Sequence, residues 1–172
     1  MMSFFTTHPR APRIGWTCTA VGDMGRQKKS WVPCDVCGTL LRYPHFMLHP
    51  RFAGEVAVGC ECAAGMEGIP QYLVDQRDRD AKNRFASRRN FCNLKNWKRE
   101  GRTMWTLKHL RKEYRVVQGP YGGYAASVRP EGETAWTRLE GWHKKIEDAK
   151  LSAFDAINPP HSATVEAIEE VA

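Results

Sequence analysis

The chain has 172 residues, 42% apolar and 26% charged, a globular composition with room for one medium domain or two small ones. Its net charge of +7 and pI near 9.2 lean toward an anionic partner. No stretch approaches the roughly 20 apolar residues of a membrane span, and no charged-then-apolar leader opens the chain, so a cytoplasmic protein with no membrane contact is expected.

Residues 1–30 carry Pro9, Pro12, Gly15, Gly22 and Gly25 among scattered charges and show no apolar period. They predict a loose arm, laid on the rest of the chain through Phe4, Phe5 and Trp16. Cys18 in this arm reads either as a free cysteine or as an alternate metal ligand.

Residues 31–68 hold two close-spaced cysteine pairs. Cys34 and Cys37 are followed by Gly38; Cys60 and Cys62 come after a gap of 22 residues. In a cytosolic chain such pairs read as metal ligands before disulfides. Four thiolates suit one tetrahedral, structural Zn²⁺ in a closed site with no position left for chemistry; a lone iron accepts the same ligands. His45 or His49 could replace one cysteine, because C-x-C is a less usual spacing than C-x-x-C. Otherwise the two histidines are hairpin-surface residues. Thr39 to Met47 predicts one strand and Glu55 to Gly59 a second, joined by the Pro- and Gly-bearing turn 49–54; Cys60 to Glu67 predicts a short helix.

Residues 69–100 predict a basic helical linker, with Tyr72, Leu73, Phe85, Leu94 and Trp97 loosely on one face. From Ala81 to Arg115 there are 12 Lys and Arg against Glu100 and Glu113 alone. Arg84, Arg88, Arg89, Lys95, Lys98, Arg99 and Arg102 are the candidate phosphate contacts, and Phe85, Phe91, Trp97 and Trp105 could stack on bases. The sequence leaves DNA and RNA equally open.

Residues 101–158 predict an antiparallel sheet with strands at Thr103–Leu107, Glu113–Gln118, Tyr124–Val128 and Ala135–Trp142. A helix over Ile146–Ile157 then covers the sheet, with Ile146, Ala149, Leu151, Ala153, Phe154 and Ile157 on its apolar side. Lys144 and Lys145, just before that helix, join the candidate phosphate contacts. Residues 159–172 predict a flexible tail.

The expected class is therefore α+β: a small zinc unit, a basic linking helix, and a helix-covered antiparallel sheet. The expected function is non-catalytic nucleic-acid binding, regulatory in character. The alternatives are a protein-binding adaptor, inhibitor or accessory subunit of a larger complex, and a metal-dependent nuclease that would enlist His45, His49 and Asn90 or Asn93. No small-molecule substrate is indicated. Pro33 to Cys37 also matches half of a zinc-deaminase signature, but the H-x-E that this chemistry needs upstream is missing, since the one upstream histidine, His8, is followed by Pro9 and Arg10.

Three resemblances follow from these residues. Knuckle, hairpin, then ligands at a helix start is the order of a treble-clef zinc finger. Gly141 to Phe154 resembles the end of a double-stranded-RNA-binding domain, although its lysine-to-alanine spacing departs from that family. The chain from about residue 31 to 158 is similar to small bacterial and mobile-element proteins that share four features. These are C-x-x-C-G, then Arg42-Tyr43-Pro44-His45, then His49-Pro50, and then Val58-Gly59-Cys60-Glu61-Cys62-Ala63 followed by a basic helix; a βββα unit ending at Ala149–Ala156 closes the likeness. That similarity implies a zinc-binding fold and assigns no activity.

Overall fold

A computed structural model describes residues 4–160. The protein is mixed α+β with antiparallel sheets, and it divides into two compact units, the first reaching Phe85 and the second running from Ala86 to Pro159. Among the described residues, no helix is long and apolar enough to cross a membrane.

The first unit contains helix α1 (Phe4–Thr7) and strands β1 (Thr17–Val21), β2 (Val32–Pro33), β3 (Leu40–Leu41), β4 (His45–His49) and β5 (Phe52–Val58). Helix α2 (Cys60–Glu67) follows, and then most of helix α3 (Gln71–Phe91), within which the unit boundary falls. The main sheet has the order β1-β4-β5 and is antiparallel throughout. Strand alternation puts His45, Met47 and His49 on one face of β4, and all three are buried with Val56 and Val58 of β5. Helix α3 presents Val74, Asp78, Ala81 and Phe85 along one side, at the 4-3-4 spacing of a single helical face. Val74 is buried in this core, and Ala81 and Phe85 pack against it.

The N-terminal segment expected as a loose arm is built into this core instead. β1 is an edge strand paired with β4, Thr17 opposite Leu48 and Val21 opposite His45. Phe4 and Trp16 are buried and pack edge to face, and the Trp16 indole donates to the Pro12 carbonyl at 2.8 Å. The aromatic side chains dock a segment whose backbone pattern alone gives little sign of a strand. The single strand expected over 39–47 is also divided. β3 pairs with β2 to form the cysteine hairpin, and Pro44 separates it from β4.

The second unit contains β6 (Lys98–Glu100), β7 (Met104–His109), β8 (Lys112–Gln118), β9 (Tyr124–Pro130), β10 (Thr137–Arg138) and helix α4 (Ile146–Ile157). The strands form a five-stranded meander, β10-β9-β8-β7-β6. Leu107, Tyr114, Val116, Ala126 and Val128 face one side of it, and Ala149, Ala153 and Phe154 of α4 cover them. The two fully buried alanines are one helical turn apart, which lets the helix approach the sheet closely. Phe91, from the end of α3, packs edge to face on Tyr114. The β7–β8 hairpin turns through Leu110 and Arg111, both at positive φ (49° and 58°), the geometry of a type I′ turn.

The basic helical linker ends earlier than expected. α3 stops at Phe91, where Asn90, Asn93 and Asn96 favour turns; the Asn93 amide bonds back to the Asn90 carbonyl. The Trp97 indole caps the Phe91 carbonyl at 2.9 Å. Lys98 and Arg99 therefore lie on a strand. The strand expected over 135–142 shrinks to β10 plus one isolated bridge from His143 to Tyr124. The expected tail beyond residue 160 lies outside the described residues.

Candidate metal centre and basic surface

The cysteine hairpin is assembled from local bonds. The Cys34 amide donates to the Thr39 carbonyl (2.7 Å) and the Gly38 amide to the Cys34 carbonyl (2.8 Å). Gly38 has φ 77°, a conformation that costs a side-chain-bearing residue about 1–2 kcal/mol. Asp35 fastens the hairpin to β5. Its amide donates to the Ala57 carbonyl at 2.9 Å, and its carboxylate accepts from the Ala57 amide at 2.7 Å. From the other side, α2 starts after Gly59 and carries Cys62 in its first turn, where the positive end of the helix dipole favours a thiolate.

The result is a cluster of three sulfurs. Cys34, Cys37 and Cys62 present Sγ atoms all within 4.8 Å of one another, with Cys34 buried, Cys62 half-buried and Cys37 exposed. Tetrahedral zinc with bonds of about 2.3 Å would set its sulfurs about 3.8 Å apart, so the three fit one ion after small adjustments. Hydrogen bonding with Thr39, whose hydroxyl is 3.4 Å away, holds the Cys37 thiol down at about 7. Burial, reinforced by Cys34 and Cys37, pushes Cys62 up to about 12. Crowded thiols resist joint ionisation, and a bound cation removes that resistance.

Cys60 does not join the cluster. Among the described residues, no fourth His, Cys, Asp or Glu ligand atom lies within 4.8 Å of all three sulfurs. The reason is helical: Cys60 and Cys62 are two residues apart on α2, and positions i and i+2 face different ways. His45 and His49 are not ligands either, and they are not surface residues. His49 Nδ1 accepts the Arg51 amide at 3.0 Å. His45, with 0% exposure, has Nδ1 3.5 Å from Arg77 and 3.8 Å from the Cys18 sulfur, and Nε2 3.6 Å from Asp78. Burial first, and then the Arg77 charge, hold its imidazole below the usual range, so the ring is neutral. Cys18 is buried beside it, its thiol pushed up to about 11 by burial, and it stands apart from the sulfur cluster. Sequence reasoning missed Asp35 and Thr39 as organisers of the hairpin. Their positions, inside and just after the C-x-x-C, were the available signal.

The candidate phosphate contacts do not all share one helix; only Arg84, Arg88 and Arg89 lie on α3. Arg84 lies in the part of α3 that belongs to the first unit, and Arg88 and Arg89 lie in the part that belongs to the second. Arg88 makes a bidentate pair with Asp155 of α4, at 2.9 to 3.1 Å, so it serves packing within the second unit. Lys95 is in the turn after α3, Lys98 and Arg99 are on the edge strand β6, and Arg102 is in the next turn. Arg99 donates to the Arg102 carbonyl at 2.7 Å and lies 5.4 Å from the Trp105 ring centre. Lys144 and Lys145 are exposed just before α4. Phe91, one of the candidate stacking rings, is instead core. No family model, curated protein or solved structure matches the chain.

Proposed function

We propose that the protein binds nucleic acid through its second unit and that a single structural metal ion, zinc by ligand preference, braces the first. The observation that carries the binding half is the distribution of charge. Residues 86–159 contain 15 Lys and Arg against 8 Asp and Glu, so this unit alone matches the net charge of the whole chain. Lys95, Lys98, Arg102, Lys144 and Lys145 are exposed, and among the described residues none is ion-paired. Phosphate oxygens are the partners such cations suit, and each phosphate neutralised releases counterions. The metal half rests on the three clustered thiols. A cysteine hairpin with the remaining ligand in the first turn of a helix supports the treble-clef reading of this unit.

The test is fluorescence anisotropy on labelled 30-mer DNA and RNA of random sequence, titrated from 50 to 200 mM salt. Binding that weakens steeply with salt is expected. Replacing Lys144 and Lys145 by Ala should flatten the log–log slope by about one for each phosphate that the variant no longer neutralises. A complex that fails to form at low salt, or a slope unmoved by every one of the five cations, refutes the reading.

A further inference from the structure

Three cysteines supply three of the four positions that a tetrahedral zinc takes. The residue expected to complete the set, Cys60, opens α2 two positions before Cys62. Residues two apart on a helix are about 200° apart around its axis, and the Cys60 sulfur does not join the three clustered ones although Cys60 lines the cavity beside them. Cys62 takes the side of the cysteine hairpin. Cys60 lines the neighbouring cavity together with Asp78 and Lys82 of α3. Asp78 is no substitute, because its carboxylate is paired with Lys82 and lies 3.6 Å from His45.

What lies beside the sulfurs is space. Cys37 and Cys62 line a cavity of about 320 Å³ whose other walls include Tyr43, Cys60, Asp78 and Lys82. The volume is that of a small ligand site, about ten times the share of one liquid water. Cys34, the buried ligand, is not part of its lining. An ion held by the three sulfurs would therefore sit at the cavity's edge.

We propose that the metal of this protein has a non-protein fourth ligand. Cys34, Cys37 and Cys62 hold the ion, and the fourth position faces the cavity. It carries water at rest and exchanges it for a small thiol bound as thiolate, the proton passing to buffer. Three protein ligands and one exchangeable position are the coordination of zinc sites that handle external ligands, and thiolate is a donor zinc prefers. The N-terminus of α2 offsets the added negative charge; Lys82 on the cavity wall is already paired with Asp78. The inference rests on the metal reading above and replaces the closed four-thiolate site that the cysteine spacing suggests.

The experiment is X-ray absorption at the zinc edge on the full chain in thiol-free buffer, with metal content measured on the same sample. Three sulfurs near 2.3 Å and one oxygen near 2.0 Å are expected. Cys60→Ser should leave that shell and the zinc dissociation constant unchanged within about twofold, where loss of a true ligand would weaken binding by tenfold or more. In the cobalt-substituted protein, 2-mercaptoethanol should shift the visible bands saturably. Four sulfurs in the wild type falling to three in Cys60→Ser, or cobalt bands indifferent to the thiol, would overturn this proposal and leave the metal reading standing. Absence of stoichiometric metal would overturn both.

Discussion

Replacing Arg77 by Met should cost the first unit about 3 kcal/mol. Arg77 of α3 donates through Nη1 and Nη2 to the two oxygens of Glu67 in α2, at 2.9 and 2.6 Å, and the two side chains are only 13% and 10% exposed. Glu67 also accepts the Cys18 amide of β1 at 3.1 Å, so the pair joins both helices to the edge strand. Without Arg77 the carboxylate keeps one neutral donor in a largely dry place. Breaking a buried pair from one side costs about 3–5 kcal/mol, and residual water access argues for the lower end. For a unit of this size each kcal/mol lowers the midpoint by about 4–8 °C, so a fall of about 12 °C or more is expected. Scanning calorimetry of the metal-loaded protein, which resolves units that melt separately, measures it. The double variant Arg77→Met with Glu67→Met should recover most of the stability, because no charge is then left behind. A single variant within about 1 kcal/mol of wild type, or no recovery in the double, refutes the reasoning.

Four further outcomes are expected. Leu110→Asn with Arg111→Gly should stabilise the second unit by about 1–2 kcal/mol, read as a higher urea midpoint. Both residues occupy left-handed backbone, and the Leu110 side chain is 80% exposed, so little packing is given up. His45 gives a pH signature. Its folded-state pKa lies below the ordinary 6.5, so stability is full above pH 6.5 and declines as acid protonates the unfolded chain first. His45→Gln should flatten the pH dependence of the urea midpoint below pH 6.5 relative to wild type, and an identical slope would remove His45 from the account. Cys34→Ser should abolish stoichiometric metal binding, and saturating metal at about a thousand times its dissociation constant should add about 4 kcal/mol to the wild type but none to the variant in a denaturant titration. Arg88→Glu should lower the melting temperature of the second unit by several degrees, since it sets two carboxylates face to face across α3 and α4; an unchanged melt with weakened nucleic-acid binding would return Arg88 to the phosphate contacts.

Much of the architecture was legible because it is local. The helix over Ile146–Ile157 has its expected bounds, since apolar spacing and Pro159-Pro160 define it without help from elsewhere. Three strands of the second sheet fall within two residues of their expected ends, helped by the Gly- and Pro-bearing turn between β8 and β9. What stayed hidden depends on distant residues. β1 is five residues long and is held in place by pairing with β4 and by the docking of Trp16. His45 and His49 look like surface residues until Arg77 and Asp78 of α3 close over the first and Trp16 packs on the second. The basic run looks like one helix in sequence, yet the asparagines after Asn90 break it and its cations disperse over a helix, a strand and two turns. Cys60 is a different case. The i, i+2 argument needs only the helix start, and that was already visible in the chain.

The bond pair between Asp35 and Ala57 has a consequence for metal capture. It moors the cysteine hairpin to β5 through protein atoms alone, so Cys34 and Cys37 are preorganised before any ion arrives. Small zinc fingers are coils without their metal. In this protein chelation should instead loosen a sheet that is already formed, and reloading should run as docking onto a waiting template. An ion that can leave without unfolding its host is one whose occupancy can follow supply.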